Sequence, residues 1–148
     1  MRYYIRENTL FVRGNFRSLS TGAGGGIGSV STVLNHAVET GWDARDPIQE
    51  LSAVISREGL PGDFFGLFSA VRMQHVCILQ YDFVTVFISA EIHGGPSGTI
   101  NIIVYSSEGM SDAALAGAII TATEAKSEAL RRRGHEVWGT PTDAVIVA

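Results

Sequence analysis

The chain is poor in cysteine, in charge and in long apolar runs, and each shortage excludes a class of protein. Its one cysteine, Cys77, cannot form an intrachain disulfide or a multi-cysteine zinc site. No stretch reaches the roughly 18 apolar residues of a membrane-spanning helix, and the N-terminus lacks a basic-then-apolar leader. We therefore expect a cytoplasmic protein with no membrane partner, in which Cys77 is a buried core thiol within "HVCILQY".

Positive charge is also scarce, since the chain has 11 Lys and Arg but 15 Asp and Glu, which gives a net charge of -4. Binding to nucleic acid depends on a basic face, so we expect no such partner. The four histidines form neither an HxH nor an HExxH motif, so we expect no metal site. The length of 148 residues and a hydrophobic content of 45% predict one domain over residues 1–148 with its own core.

Glycine, by contrast, is concentrated in "SLSTGAGGGIGSVSTV", residues 18–33. The spacing matches neither the phosphate-binding P-loop, because no lysine follows these glycines, nor the dinucleotide-binding pattern GxGxxG. Two interpretations stay open: a loop whose backbone approaches a ligand, and a plain flexible turn. Gly24, Gly25 and Gly26 are the candidates for ligand contact.

Apolar alternation and capping signals predict a mixed sheet packed by helices. "RYYIR" and "TLFVRG" are predicted strands joined at Glu7-Asn8, and "FRSLST" is a third. A short helix is predicted from Ser29 to just before Gly41, and a second in "DPIQELSAVISREG", capped by Asp46. Four strands, the long helix "SDAALAGAIITATEAKSEALRRRG" and a closing strand "DAVIVA" follow. The prediction is an α/β or α+β fold with a partly antiparallel sheet of about seven strands and two or three helices.

The long helix is nearly all apolar from Ala113 to Ala122, so we expect much of it to be buried. Beyond this segment, Glu124 falls on a polar stripe, whereas Lys126 falls near the apolar edge. Lys126 either snorkels from a solvent-facing surface, or Glu124 or Lys126 lies in a pocket where burial tunes its proton affinity.

Further polar residues interrupt or border apolar strands. Asn101, within "GTINIIVY", must find hydrogen-bond partners if it is buried. Thr142 and Asp143 directly precede the closing strand, a position typical of binding crevices in α/β folds and equally of turns. His36 stands beside Asn35 after the glycine loop. These residues predict a pocket without naming a reaction.

Three stretches, "GTINIIVY", "TEAKSEAL" and "GTPTDAVIVA", resemble in this order the adenosylcobinamide amidohydrolase family of corrinoid salvage. "RSLSTGAGGGIG", "NHAV" and "FGLFSAV" are similar to earlier blocks of that family, so the likeness covers residues 10–148. The resemblance implies hydrolysis of the amide that joins the aminopropanol arm to the corrin ring of adenosylcobinamide, giving adenosylcobyric acid. The corrinoid would be a substrate and no cofactor is implied; a homo-oligomer stays open.

Amide hydrolysis needs an activated water, a stabilised oxyanion and a proton for the leaving amine. Judged by residue type, Glu124 or Asp143 activates the water, and Lys126 or His36 donates the proton. Asn101 and the N–H groups of the glycine loop are expected to polarise the carbonyl. The expected substrate-binding residues are Gly24, Gly25, Gly26, Asn35, Asn101 and Thr142.

The chain departs from the family pattern at three positions. Phe87 replaces a glycine and Ala90 an asparagine in "VTVFISAE", and Pro141 replaces a glycine in "GTPTDAV". A phenylalanine fills space that a ligand would need. Two alternatives therefore stay open: a non-catalytic protein that binds a corrinoid or another small ligand on the same fold, and an amidohydrolase with a different substrate.

Overall fold

A computed structural model describes residues 1–39, 41–43, 45–92, 98–135 and 138–148. Within these residues, one sheet of eight strands carries two α-helices, which confirms the α/β class with a mixed sheet. The elements in chain order are β1 (Arg2–Arg6), β2 (Thr9–Ser20), β3 (Gly26–Ala37), α1 (Pro47–Arg57), β4 (Phe64–Ser69), a 3-10 turn (Met73–His75), β5 (Cys77–Tyr81), β6 (Val84–Ile92), β7 (Gly98–Ser106), α2 (Asp112–Arg132) and β8 (Ala144–Val147).

The strands follow the order β4-β3-β2-β8-β7-β6-β5, and β1 is paired to β2 beside this path. The β3–β4 and β7–β8 pairs are parallel, and the other pairs are antiparallel. The chain therefore passes from β7 through α2 to the predicted closing strand β8, which is parallel to β7. This crossover brings the end of α2 to the start of β8.

The sheet bends over itself through its long second strand. The register of β2 against β3 shifts between Arg13 and Phe16, an irregularity of the kind that bends a strand. The end of β2 pairs with β8, and Asn35 of β3 reaches across to a hydrogen bond with Ser89 of β6. The two halves of the sheet thus face each other across an inner core, whose buried members include Leu10, Val12, Phe16, Leu67, Met73, Phe87, Ile103 and Ile146.

Each helix covers part of an outer face of this bent sheet. The Asp46 carboxylate caps α1 by accepting a hydrogen bond from the N–H of Gln49 at 3.0 Å, as predicted. The apolar stripe of α1 packs on β2, β3 and β4, and α2 packs on β7 and β8. The buried residues of these two outer cores are Phe11, Leu34, Leu51, Val54 and Ile55 under α1, and Ile100, Ile102, Leu115, Leu130, Val145 and Val147 under α2.

The predicted short helix from Ser29 is wrong, because this segment lies in β3. Ile27, Val30, Thr32 and Val33 are β-branched, and such side chains fit a pleated strand better than a helix. The glycine loop consequently joins two strands of a hairpin. "FRSLST" is likewise the second half of β2 and not a separate strand.

At two places the structure buries fewer residues than the apolar composition of the sequence led us to expect. In α2 the buried residues are Leu115 and Leu130, and Ile120 is 60% exposed. Cys77 is exposed on β5, an edge strand of the described sheet whose five residues are all exposed. Neither helix of the described ranges is long and apolar enough to cross a membrane.

Candidate functional site

The structure joins two of the predicted catalytic residues in an ion pair at the start of β8. The ammonium Nζ of Lys126 lies 2.6 Å from Oδ2 of Asp143. Both side chains are largely buried, with exposed fractions of 12% for Lys126 and 8% for Asp143. A charge pair withdrawn from water to this extent requires further hydrogen bonds to be stable.

Those further hydrogen bonds converge on the Asp143 carboxylate. Its Oδ2 also accepts from the backbone N–H of Thr140 at 2.9 Å. Its Oδ1 accepts from the Thr140 hydroxyl at 2.6 Å and from the N–H of Ile100 at 2.8 Å. With two donors on each oxygen, the lone-pair sites of the carboxylate are filled.

This hydrogen bonding keeps Asp143 ionised. Burial, the largest single influence, raises the pKa of Asp143. The hydrogen bonds from Lys126, Thr140 and Ile100 together outweigh burial and leave the pKa below its ordinary value. A carboxylate stabilised in this way is a weak base, so it suits the holding of a cation better than the removal of a proton from water.

A residue that sequence reasoning missed, Gly139, closes over the pair. Its φ of +154° lies in a region that side-chain-bearing residues rarely adopt. A Cβ added there would collide with Oδ2 of Asp143 and with Nζ of Lys126. The sequence feature that could have indicated it is its position as the first residue of "GTPTDAVIVA", directly before the polar turn.

Thr142 anchors the same turn to the start of β7. Its hydroxyl lies 2.8 Å from the hydroxyl of Thr99 and donates to the carbonyl of Gly98 at 3.1 Å. Its local partner is Thr140, whose hydroxyl lies 3.3 Å away. These contacts fix the loop that carries Asp143.

Asn35 and Asn101 meet in a buried polar cluster on the inner side of the sheet. Asn101 donates through Nδ2 to Oδ1 of Asn35 at 3.1 Å and to the carbonyl of Phe68 at 2.6 Å. Asn35 donates to the hydroxyl of Ser89 at 2.8 Å, which lies 3.3 Å from the hydroxyl of Ser69. Within the described chain, Oδ1 of Asn101 is buried without a hydrogen-bond partner.

The sequence analysis did not identify Ser69 and Ser89, the two serines of this cluster. The available signal was the same as for Asn101: a small polar residue within an apolar strand.

The cluster and the ion pair lie close along the sheet, because Asn101 is paired with Ala144, which follows Asp143. They occupy different faces, since successive strand residues point to opposite sides. Ile100 and Ile102 face α2, whereas Ile103 lies in the inner core.

The glycine loop has its own structural reasons for glycine. Gly24 and Gly26 have φ values of +64° and +130°. A Cβ on Gly25 would collide with the carbonyl oxygen of Ser20 and lie 2.7 Å from that of Gly22. The hairpin turn alone therefore accounts for these three glycines.

This loop begins beside the ion pair. Thr21 donates its N–H to the carbonyl of Val145 at 3.0 Å, and its hydroxyl accepts from the N–H of Val145 at 2.9 Å. Val145 is two residues beyond Asp143 in β8. The loop is thus placed next to the start of β8.

His36 lies away from this region, because it neighbours Asn35 on a strand and points to the opposite face. Its Nδ1 is hydrogen-bonded to the hydroxyl of Thr9 at 2.6 Å, in a hollow beneath α1. Burial lowers the pKa of His36, as does the charge of Arg57, against an opposing contribution from Glu50.

Glu124 is also separate from the ion pair. Its side chain is exposed, beside Ser127, Glu128 and Trp138. Glu124 and Lys126 lie about 200° apart around the helix axis, at about 100° per residue. The structure therefore brings Lys126 and Asp143 together and leaves Glu124 and His36 elsewhere.

An apolar cavity of about 640 Å³ opens between α2 and the sheet, with Lys126 in its lining. The sheet side is formed by β6 and β7, and the helix side by small residues of α2. No cluster of three His, Cys, Asp or Glu side chains that could hold a metal ion occurs in the described ranges.

Comparison with known proteins agrees with the sequence blocks. The sequence model of the family described as adenosylcobinamide amidohydrolase matches residues 2–148. A curated protein of Methanosarcina mazei named adenosylcobinamide amidohydrolase is 39% identical over 153 aligned residues, which cover 100% of this chain and 76% of that protein. No solved structure matches the chain at a significant level. The family match over nearly the whole chain shows that it belongs to the adenosylcobinamide amidohydrolase family.

Proposed function

We propose that this chain hydrolyses adenosylcobinamide at the amide that joins the aminopropanol arm to the corrin ring. The observation that carries the proposal is the buried Lys126–Asp143 pair, which is formed by two sequence blocks resembling the family and borders an apolar cavity. Water adds to the carbonyl carbon and the carbon–nitrogen bond breaks. The corrin ring keeps the carboxylate, as adenosylcobyric acid, and the nitrogen leaves as protonated aminopropanol.

Lys126 is the residue that we assign to the reacting amide. An ammonium group has three N–H donors, and Asp143 takes one of them. A remaining N–H can donate to the carbonyl oxygen and stabilise the negative charge that develops there when water adds. Because the site is largely withdrawn from water, this stabilisation is stronger than it would be at the surface.

Asp143 acts as a positioning residue in this scheme. Its oxygens already accept from Lys126, Thr140 and Ile100, so it cannot take a proton from water without losing one of these partners. Its charge instead orients the ammonium group. The buried amides of Asn35 and Asn101 support a similar role, since their hydrogen bonds join β3 and β4 to the start of β7.

The test is incubation of the purified chain with adenosylcobinamide, followed by mass spectrometry for adenosylcobyric acid and free aminopropanol. Lys126→Met is expected to lower kcat by about 100-fold, the scale of losing one oxyanion donor. Arg132→Met is the matched control, because Arg132 is an exposed cation of the same helix, paired with Glu128. The control is expected to turn over like the parent.

Each failure of this assay has its own meaning. Tight binding without conversion would contradict hydrolysis and favour a non-catalytic corrinoid-binding protein. Conversion of unrelated amides, with no action on adenosylcobinamide, would favour an amidohydrolase with another substrate. Equal activity of Lys126→Met and the parent would remove Lys126 from the mechanism.

A further inference from the structure

The outward-facing residues of β6 are apolar, and α2 covers them only in part. Phe87 points into the inner core, whereas Val84, Val86 and Ile88 point outward and remain partly exposed. The outer face of β6, together with Ile100, Ile102 and Val104 of β7, forms the floor of the 640 Å³ cavity.

The helix wall of this cavity is kept open by small side chains. Ala118, Ala122, Ala125 and Ala129 of α2 all line it. Their spacing of four, three and four residues places them on one line along the helix. A longer apolar side chain at these positions would fill the space between helix and sheet, so the alanines create the groove.

Two cationic side chains, Lys126 and Arg133, belong to the lining of the groove. The described lining includes no Asp or Glu, because Asp143, the partner of Lys126, is not part of it. The N–H of Ile100, in the floor, donates to the Asp143 carboxylate that holds Lys126. The groove therefore combines an apolar floor with the ammonium group of Lys126, which we assign to the scissile amide.

We infer that this groove binds the corrin macrocycle, with its aminopropanol arm directed toward Lys126; the inference rests on the proposed function. Its 640 Å³ lies within the range of about 300–1,000 Å³ typical of small-molecule sites. A corrin has broad, methyl-bearing faces that match an apolar bed. Its product carries a new carboxylate, which matches the two cations of the lining, Lys126 and Arg133.

A second copy of the chain is the competing occupant, and the shape of the groove argues against it. A stable interface between proteins buries about 800 Å² on each partner, usually over a broad surface. This cavity is instead recessed between a helix and a sheet, and its lining includes Lys126 of the buried ion pair. Both features are typical of a small-molecule site.

The experiment fills the groove without changing the ion pair. Ala125 is exposed and lines the cavity, so Ala125→Phe fills it from an exposed helix position. Ala116→Phe is the matched control, because Ala116 is exposed on α2 but does not line the groove. Binding of adenosylcobinamide and of adenosylcobyric acid is measured by equilibrium dialysis, read by corrin absorbance. Circular dichroism verifies that both variants are folded.

We expect Ala125→Phe to raise the Kd and KM for adenosylcobinamide by about tenfold or more, with kcat far less affected. Ala116→Phe is expected to match the parent. If the parent binds without turnover and Ala125→Phe alone weakens binding, the groove is supported while hydrolysis is contradicted. If the parent hydrolyses the substrate and Ala125→Phe behaves like it, the groove inference is overturned and the proposed function stands.

Sedimentation velocity of the same variants tests the competing occupant. A change in oligomeric state in Ala125→Phe, together with unchanged corrinoid binding, would assign this face to contacts between copies and overturn the inference. A parent that neither binds nor converts adenosylcobinamide would overturn both proposals.

Discussion

Replacing Asp143 by asparagine removes one charge from the buried ion pair with little change in shape. Lys126 then keeps a largely buried ammonium group without its counter-ion. In the parent, the carboxylate accepts hydrogen bonds from Lys126, Thr140 and Ile100. The amide group of the variant would point an N–H at one of these donors. Breaking a buried pair at one partner costs about 3–5 kcal/mol, and the residual exposure of Lys126 favours the lower end, about 3 kcal/mol.

Urea denaturation followed by circular dichroism measures this loss. For a chain of this size, about 3 kcal/mol corresponds to a fall in Tm of about 6–12 °C. The Lys126→Met and Asp143→Asn double variant is expected to lose less than the sum of the single variants, with a coupling of about 1–3 kcal/mol. Additive losses would show that the two side chains do not stabilise each other and would refute the reasoning.

The effect also depends on pH. The pKa of Asp143 is lowered on folding, so its charge stabilises the fold at pH values above the unfolded pKa of about 3.9. This stabilisation is lost as the pH falls through the lower folded value. The difference in unfolding free energy between parent and Asp143→Asn should therefore shrink on acidification below about pH 4.

Asp112→Asn is the matched control for these measurements. Asp112 forms a bidentate pair with Arg17, but the exposed side-chain fractions are 59% and 46%. It lies at the opposite end of α2 from Lys126, about 20 Å away along the helix axis. We expect a far smaller loss of stability than in Asp143→Asn and unchanged turnover.

Three further predictions follow from single residues. Gly139→Ala should lower both stability and activity, because its Cβ would collide with the ion pair; parental activity would contradict that contact. His36→Gln should reduce the loss of stability on acidification from about pH 7 to pH 5. Burial and Arg57 lower the pKa of His36 in the folded protein, so the unfolded chain takes up the proton first. Urea denaturation at several pH values measures this, and identical pH profiles for parent and variant would contradict it. Cys77 should react with a disulfide reagent in the folded protein at the rate of an exposed thiol, and protection until unfolding would contradict its position on β5.

Capping residues and apolar runs predicted the helices and most of the strands of the fold. The capping residue Asp46 correctly started α1, and the apolar runs on either side of a long helix correctly predicted the strand–helix–strand order of β7, α2 and β8. The segment after the glycine loop was assigned wrongly. The spacing of four residues between Leu34 and Val38 suggested a helix, whereas the β-branched residues of the segment determine a strand.

Adjacency in the sequence does not mean a shared face. His36 and Asn35 stand side by side after the glycine loop, so both were expected at the site. On β3 they face opposite ways, with Asn35 in the inner cluster and His36 beneath α1. Lys126 and Asp143 are 17 residues apart in sequence, and only the family resemblance linked them before the structure placed them 2.6 Å apart.

The open groove was also beyond sequence reasoning. The apolar segment from Ala113 to Ala122 predicted burial, but composition does not tell how much of a helix face the sheet covers. Alanines satisfy the same apolar pattern as leucines while leaving room between helix and sheet. The consequence is a cavity where a filled core was expected.

Hydrolysis in water enriched in the heavy oxygen isotope tests the central claim most directly. The parent protein and Lys126→Met are incubated with adenosylcobinamide, and the corrinoid is examined by mass spectrometry. The account predicts adenosylcobyric acid that carries one oxygen atom from the solvent, formed about 100-fold more slowly by Lys126→Met. No labelled acid from the parent, or equal rates for the two proteins, would contradict it.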